Sequence, residues 1–238
     1  MPAVNFRLNQ YAQPIGPAIN DWSPRSRPPR TEMVGRCCRL EPVAAERHEA
    51  DLYSAYQGAP DDRDWTYLFD ERPGRPEDFH AYITRLAGSA DPLHFAVVES
   101  WTGKALGTAA LMRFDAMHGS IEVGSIAFSP RLQRTTAATE SMYLMMRRVF
   151  DELGYRRYEW KCDSLNAPSR AAAERFGFTF EGVFRNAVIY KGRSRDTAWY
   201  SITSQEWPPI RSAFEAWLDQ ANFDAQGRQK RSLRELRR

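Results

Sequence analysis

At 238 residues, with 42% hydrophobic and 13% aromatic side chains, the chain has material for one sizeable core, which excludes a disordered composition. A net charge of +3 gives no global electrostatic case for nucleic acid, and Cys37, Cys38 and Cys162 make neither a disulfide framework nor a metal clip. No apolar run reaches the roughly 18 residues of a membrane span, and no basic-then-apolar leader opens the chain, so the expectation is a reducing, cytoplasmic setting without membrane or metal.

Residues 1–34 carry six prolines, with Arg25, Arg27 and Arg30 among them. Such a segment runs neither as a helix nor as a central strand. It reads as an extended arm, with Trp22 and Ile15 as candidate anchors, or as a loose linker. A strand is expected over 35–42 and a helix over 44–56, broken by Gly58-Ala59-Pro60. Trp65, Tyr67, Leu68 and Phe69 then fall in a loop beside Asp61 and Asp62, either as core or as the lining of a pocket for a cation. Pro76 starts a second helix that places Phe79, Ile83 and Leu86 on one face.

Residues 94–99 and 105–113 read as a hairpin, and 121–128 as a third antiparallel strand closed by Ser129-Pro130. A small polar loop, Gln133-Arg134-Thr135-Thr136-Ala137-Ala138-Thr139, leads into a helix through Leu153. Its apolar face carries Ala138, Met142, Met145 and Val149. A strand, a small-residue loop and a helix start, in that order, aim main-chain N–H groups and a positive dipole end outward, as a phosphate-bearing ligand requires.

Gly154 stops that helix, and 156–162 alternates as a strand, with Tyr158 and Trp160 on one face and Arg157, Glu159 and Lys161 on the other. Asn166 caps a short helix that Gly177 ends. Residues 178–190 and 197–203 form a last hairpin. A helix from Pro208 then presents Ile210, Phe214, Trp217 and Leu218. The basic residues from Arg228 onward read as a solvated tail, or as a weak contact with RNA or a ribosome surface. The domain division expected is 1–34, 35–207 and 208–238.

Four stretches in this order resemble the GNAT superfamily of acyl-CoA-dependent N-acyltransferases, in its RimJ/RimL-like branch. They are Ile121-Glu122-Val123-Gly124 leading to Ser129-Pro130; Gln133 to Glu140; Asn166-Ala167-Pro168-Ser169 with Arg175-Phe176-Gly177-Phe178; and Gly192-Arg193-Ser194-Arg195-Asp196 with Tyr200-Ser201-Ile202 and Glu206-Trp207. The resemblance implies an α/β (α+β) fold: a mixed, mostly antiparallel sheet of about seven strands, flanked by helices and splayed either side of the cofactor loop. It implies acetyl-CoA as cofactor. The pyrophosphate would lie on Gln133, Arg134, Thr135, Thr136, Ala137, Ala138 and Thr139, with Arg131 nearby, and Thr136 stands where the family's first glycine is usual.

The implied activity is transfer of an acetyl group to a primary amine, on a protein N-terminus or a small molecule. Glu122 would take the amine proton through water, and Ser169 would protonate the leaving thiolate. Asn166 would hold the pantetheine arm, and main-chain N–H groups at Ala127 and Phe128 would polarise the carbonyl. Ala173 stands where many members carry a tyrosine, and Val188 lies near the branch's second carboxylate. Trp65, Tyr67 and Arg185 are the candidate acceptor contacts. The alternative is a non-catalytic acyl-CoA sensor or RNA-docking module, as a monomer or homodimer.

Overall fold

The computed structural model describes residues 6–237. In chain order the elements are β1 (Arg7–Leu8), β2 (Pro14–Ile15), β3 (Met33–Val34), β4 (Cys38–Pro42), α1 (Ala45–Gln57), α2 (Pro76–Gly88), β5 (Leu93–Glu99), β6 (Ala105–Asp115) and β7 (Ser120–Phe128). There follow α3 (Thr136–Arg147), β8 (Arg157–Asp163), α4 (Ala167–Phe176), β9 (Thr179–Tyr190), β10 (Arg193–Thr203), α5 (Trp207–Leu218) and α6 (Leu233–Leu236).

The main sheet has the order β3-β4-β5-β6-β7-β8-β10-β9. Every neighbouring pair is antiparallel except β7–β8, which the crossover through α3 makes parallel. That parallel ladder is short: it joins Ser120–Val123 to Arg157–Trp160 and stops. Beyond it the strands part, leaving a fork between residues 124–128 and 161–163. The sequence led us to expect about seven strands, and the eighth is β3, contributed by the arm. Two residues pairing with Leu40 and Arg39 carry no periodicity of their own.

Alternation along β5 separates two cores. Leu93, Phe95 and Val97 join α3, α4 and α5 in one; Ala96 and Val98 join α1 and α2 in the other. Each fully buried Phe or Leu contributes roughly 1.5–3 kcal/mol. The segment after Trp207 shares the first core through Trp207, Phe214, Trp217 and Leu233. The basic stretch is therefore not a frayed tail: Leu233 is buried, and Ser232 and Glu235 close a reciprocal cap at the start of α6.

The arm lies over the domain. Trp22 donates its indole N–H to Met117 O (2.7 Å), Arg25 N donates to Ala116 O, Tyr155 donates to Ser26 O, and Arg30 reaches the carbonyls of Ala87 and Ser89. Gly119, at φ 66°, makes room for this: a Cβ there would sit 2.2 Å from the Trp22 ring. Ile15 pairs instead with Arg7 in the small β1–β2 ladder.

Candidate active site

The turn between β7 and α3 is built to leave main-chain donors open. Thr135 is the N-cap, and its hydroxyl accepts from Ala138 N at 3.1 Å. Ahead of it Arg134 takes φ 62°, a left-handed conformation in a chain that has no glycine here. Among the described residues, Thr136 N and Ala137 N have no acceptor in the chain. Arg131, Gln133 and Arg134 are exposed and Thr135 and Thr136 half-exposed, so the corner meets solvent at Thr136, while Ala137, Ala138 and Thr139 behind it are buried. Gln133 is not free, because its amide donates to Phe128 O (2.9 Å) and ties the loop to the end of β7.

Behind the corner, Glu140 anchors the first turns of α3. Its buried carboxylate accepts from the main-chain N–H groups of Arg36, Cys37 and Cys38 at 3.0, 2.6 and 2.8 Å. Gly35 permits that approach, since a Cβ there would lie 2.6 Å from the carboxylate. Thr139 is buried and takes a hydrogen bond from Arg175 at 3.2 Å. Its part is therefore to hold α4 against α3.

Across the fork stands α4. Asn166 Oδ1 accepts from Ser169 N (3.1 Å), which makes it the helix cap and leaves its amide N–H₂ without a partner among the described residues. Ser169 Oγ accepts from the Trp160 indole at 3.0 Å, so its own proton is available to donate. Burial pushes the Cys162 thiol up despite Ser169 and two arginines beside it, which argues against a nucleophilic thiolate. Ala173 is fully buried, so the tyrosine position of other members lies in core here.

Glu122, on β7 just before the fork, is buried. One oxygen lies 2.7 Å from Arg113 Nη1 and 2.9 Å from Lys161 Nζ. Lys161 also meets Glu159 at 2.7 Å, and Arg157 joins Glu159 to Glu181, so one row of charges crosses β7, β8 and β9.

A model of the Acetyltransferase (GNAT) domain matches residues 38–179. A GCN5-related N-acetyltransferase from Brucella melitensis is 47% identical over 91% of this chain and 98% of its own, with a TM-score of 0.89. The chain belongs to the GNAT acetyltransferase family. A probable GNAT-family acetyltransferase from Chromobacterium violaceum is 37% identical over 82% of this chain and 97% of its own, with a TM-score of 0.75. The microcin C7 self-immunity acetyltransferase MccE, solved with acetyl-CoA and AMP, shares the fold: it is 20% identical over 71% of this chain and 93% of its own, with a TM-score of 0.58. No curated protein matches significantly.

The donors without an acceptor at Thr136 and Ala137, the Asn166 amide and the Ser169 hydroxyl are groups of the kind an acyl-CoA requires, although Ala137 is itself fully buried. Among the described residues no cluster of His, Cys, Asp or Glu could hold a metal. Ala127 and Phe128 form the β7 side of the gap. Ala127 O is occupied by the Tyr56 hydroxyl (3.0 Å), which fixes the strand end.

The expected acceptor residues scatter. Trp65 is core: it is buried, edge-on to Tyr56 and Tyr82, with only its rim on a small pocket lined by Asp64, Leu68 and Ser129. Tyr67 spans the cleft to Leu165 O at 3.3 Å. Arg185 sits on the exposed edge strand β9, in a shallow groove with Phe184 and Asn186. Sequence reasoning missed Lys161 and Arg113 as partners of Glu122. The alternation of β8 placed Lys161 on the right face, but only strand pairing puts it beside β7.

Proposed function

We propose that this GNAT domain transfers an acetyl group from acetyl-CoA to a primary amine, on a small molecule or a protein N-terminus, in the manner of the RimJ/RimL-like branch. The observation that carries this is the fork itself. A parallel ladder ends at Val123 and Trp160 beside a solvent-open helix start with unused main-chain donors. Acetyl-CoA, when bound, supplies the activated acyl group; the chain supplies position and protons.

Thr136 and Ala137 N–H, helped by the dipole of α3 and by Arg131 and Arg134, bind the pyrophosphate. Asn166 orients the pantetheine arm. Ser169, already accepting from Trp160, donates its proton to the departing sulfur. Glu122 draws the proton from the incoming amine through water. Arg113 and Lys161 hold its carboxylate in one place, so it works at a fixed distance rather than by swinging. A free amine titrates between about 8 and 10.4, so rates should climb with pH toward the acceptor's own value. We also propose a cytoplasmic setting; among the described residues no helix is long and apolar enough to cross a membrane, which by itself names no compartment.

The test is release of free thiol from acetyl-CoA over a panel of amino acids, polyamines and N-terminal peptides, with the product identified by mass. Acetylated amine in amounts equal to thiol supports the reading. Coenzyme binding with no acetylated product from any amine would leave the chain as an acyl-CoA sensor.

A further inference from the structure

One strand beside the fork carries a row of side-chain donors with nothing to donate to. β10 runs straight past its partners. Val188 opposes Arg195 and Phe184 opposes Thr197, so the extra residues of the irregularity belong to β9. Ala198, Tyr200 and Ile202 therefore point into the core under α3 and α4, and Arg195, Thr197 and Trp199 share the opposite face. On that face Thr197 opposes Asp163, and Lys161 Nζ lies 3.8 Å from the centre of the Trp199 ring. This is the same face as Glu122, Lys161 and the fork.

Arg195 is 8% exposed, yet among the described residues its guanidinium makes no ion pair and no hydrogen bond. It packs against a touching pair of rings, 5.6 Å from the Phe69 centroid and 5.8 Å from that of Tyr190. The nearby buried Asp163 accepts from the Tyr190 hydroxyl (2.8 Å) and from Leu165 N (2.9 Å) and makes no direct ion pair with Arg195 among the described residues. Among the described residues Thr197 Oγ1 and the Trp199 indole N–H are also buried without a partner. A buried cation without a counter-ion is costly, and chains keep one where a ligand completes it. The planar fork of Arg195, steadied against two aromatic rings and with the Thr197 hydroxyl two residues along the same face, suits an anion with two acceptor oxygens; Trp199 lies roughly 13 Å further along the strand and borders the same face.

The roof over this row comes from elsewhere in the chain. Lys191 Nζ donates to Trp65 O (2.8 Å) and pairs with Glu71 (3.0 Å), Arg193 donates to Thr66 O (2.7 Å), and Phe69 packs on Tyr190 at 5.6 Å. The loop before α2 is thereby fixed over β10, opposite the side on which Ser169 and Asn166 stand.

We infer that Arg195, with Thr197, binds a carboxylate of the acceptor, so that this enzyme acts on amines that carry an acid group. The inference rests on the acyltransferase reading of the fork, but it concerns binding and is measured separately. The probes are N-acetylglycine, N-acetylserine and N-acetylaspartate, each against its carboxamide. They are added at constant ionic strength to the CoA-saturated protein, and the unfolding temperature is followed.

At least one acid should stabilise the wild-type complex with an apparent affinity roughly tenfold or more above its carboxamide, as a charge-assisted bond requires. Arg195→Met should abolish that difference, Arg195→Lys should keep part of it, and neither should lower the unfolding temperature of the ligand-free protein. Equal response to acid and carboxamide, no response to any acid, or a full acid response in Arg195→Met would each overturn the inference. A loss of several degrees in ligand-free Arg195→Met would show the residue to be structural and also overturn it. If the acid response holds and no amine yields thiol, the carboxylate site stands and the catalytic reading falls.

Discussion

The two sides of the fork solve opposite problems. On the α3 side most of the first-turn side chains are spent internally: Thr135 caps its helix, Glu140 fills a ring of N–H groups, Gln133 closes on Phe128 O and Thr139 holds Arg175. What the start of α3 keeps for a ligand is chiefly main chain. On the β8–β10 side the main chain is consumed by the ladder, and what remains open is side chain: Arg195, Thr197 and Trp199. Recognition by main chain tolerates substitution, which explains how Thr136 can stand at a glycine position. Recognition by side chains does not, so acceptor choice is written in individual residues.

The largest effect expected from breaking this contrast is at the open helix start. Thr136→Asp places a negative charge where the pyrophosphate would lie, and should raise KM for acetyl-CoA at least about a hundredfold. The same charge favours the start of α3, so the unfolding temperature should hold or rise. A fall in the unfolding temperature alongside the rise in KM would mean that the corner is structural. Next comes Glu122→Gln, for which kcat should drop on the order of a hundredfold with KM for acetyl-CoA unchanged. Because this leaves Arg113 and the largely buried Lys161 facing a neutral group, stability should fall as well, and refolded, fully soluble protein must be assayed.

A third prediction concerns the α1–α2 side of the sheet, away from the fork. His94 is buried, its Nδ1 unpartnered among the described residues, and burial first, then Arg85, depress it to about 4 from an ordinary value near 6.5. The folded protein resists its protonation while the unfolded chain does not. Stability is therefore full above about 6.5 and is lost progressively as pH falls toward 4, by on the order of 3 kcal/mol. His94→Gln should flatten that part of the profile in urea unfolding. Smaller again is Ser169→Ala. It should slow kcat roughly tenfold with a slow-leaving acyl donor and less with a fast-leaving one, the signature of an acid acting on the thiol. Equal slowing with both would reduce Ser169 to a partner for the Trp160 indole. The smallest is Thr135→Ala, which should cost about 1 kcal/mol by removing the cap, and leave kcat alone.

Most of the fold could be read before any coordinates. Helices α1 to α5 and the long strands announced themselves by periodicity and by Gly and Pro boundaries. The fork could be read too, because a strand, a small polar loop and an amphipathic helix follow one another without interruption. The local capping contacts of Thr135 and Asn166 were legible for the same reason. Contacts between distant segments were not. An arginine in an alternating strand reads as a solvated face, and what buries Arg195 is Phe69, from more than a hundred residues earlier in the chain. Trp65 misled in the opposite direction. Beside loop carboxylates it resembled a pocket wall, but its edge-on contacts with Tyr56 and Tyr82 place it in the second core.

The most direct measurement is a crystal structure with coenzyme A. The account predicts pyrophosphate oxygens within hydrogen-bond distance of Thr136 N and Ala137 N, and the pantetheine arm between β7 and β8 with its sulfur beside Ser169. Coenzyme A bound anywhere else on the molecule, with that helix start still facing solvent, would contradict it.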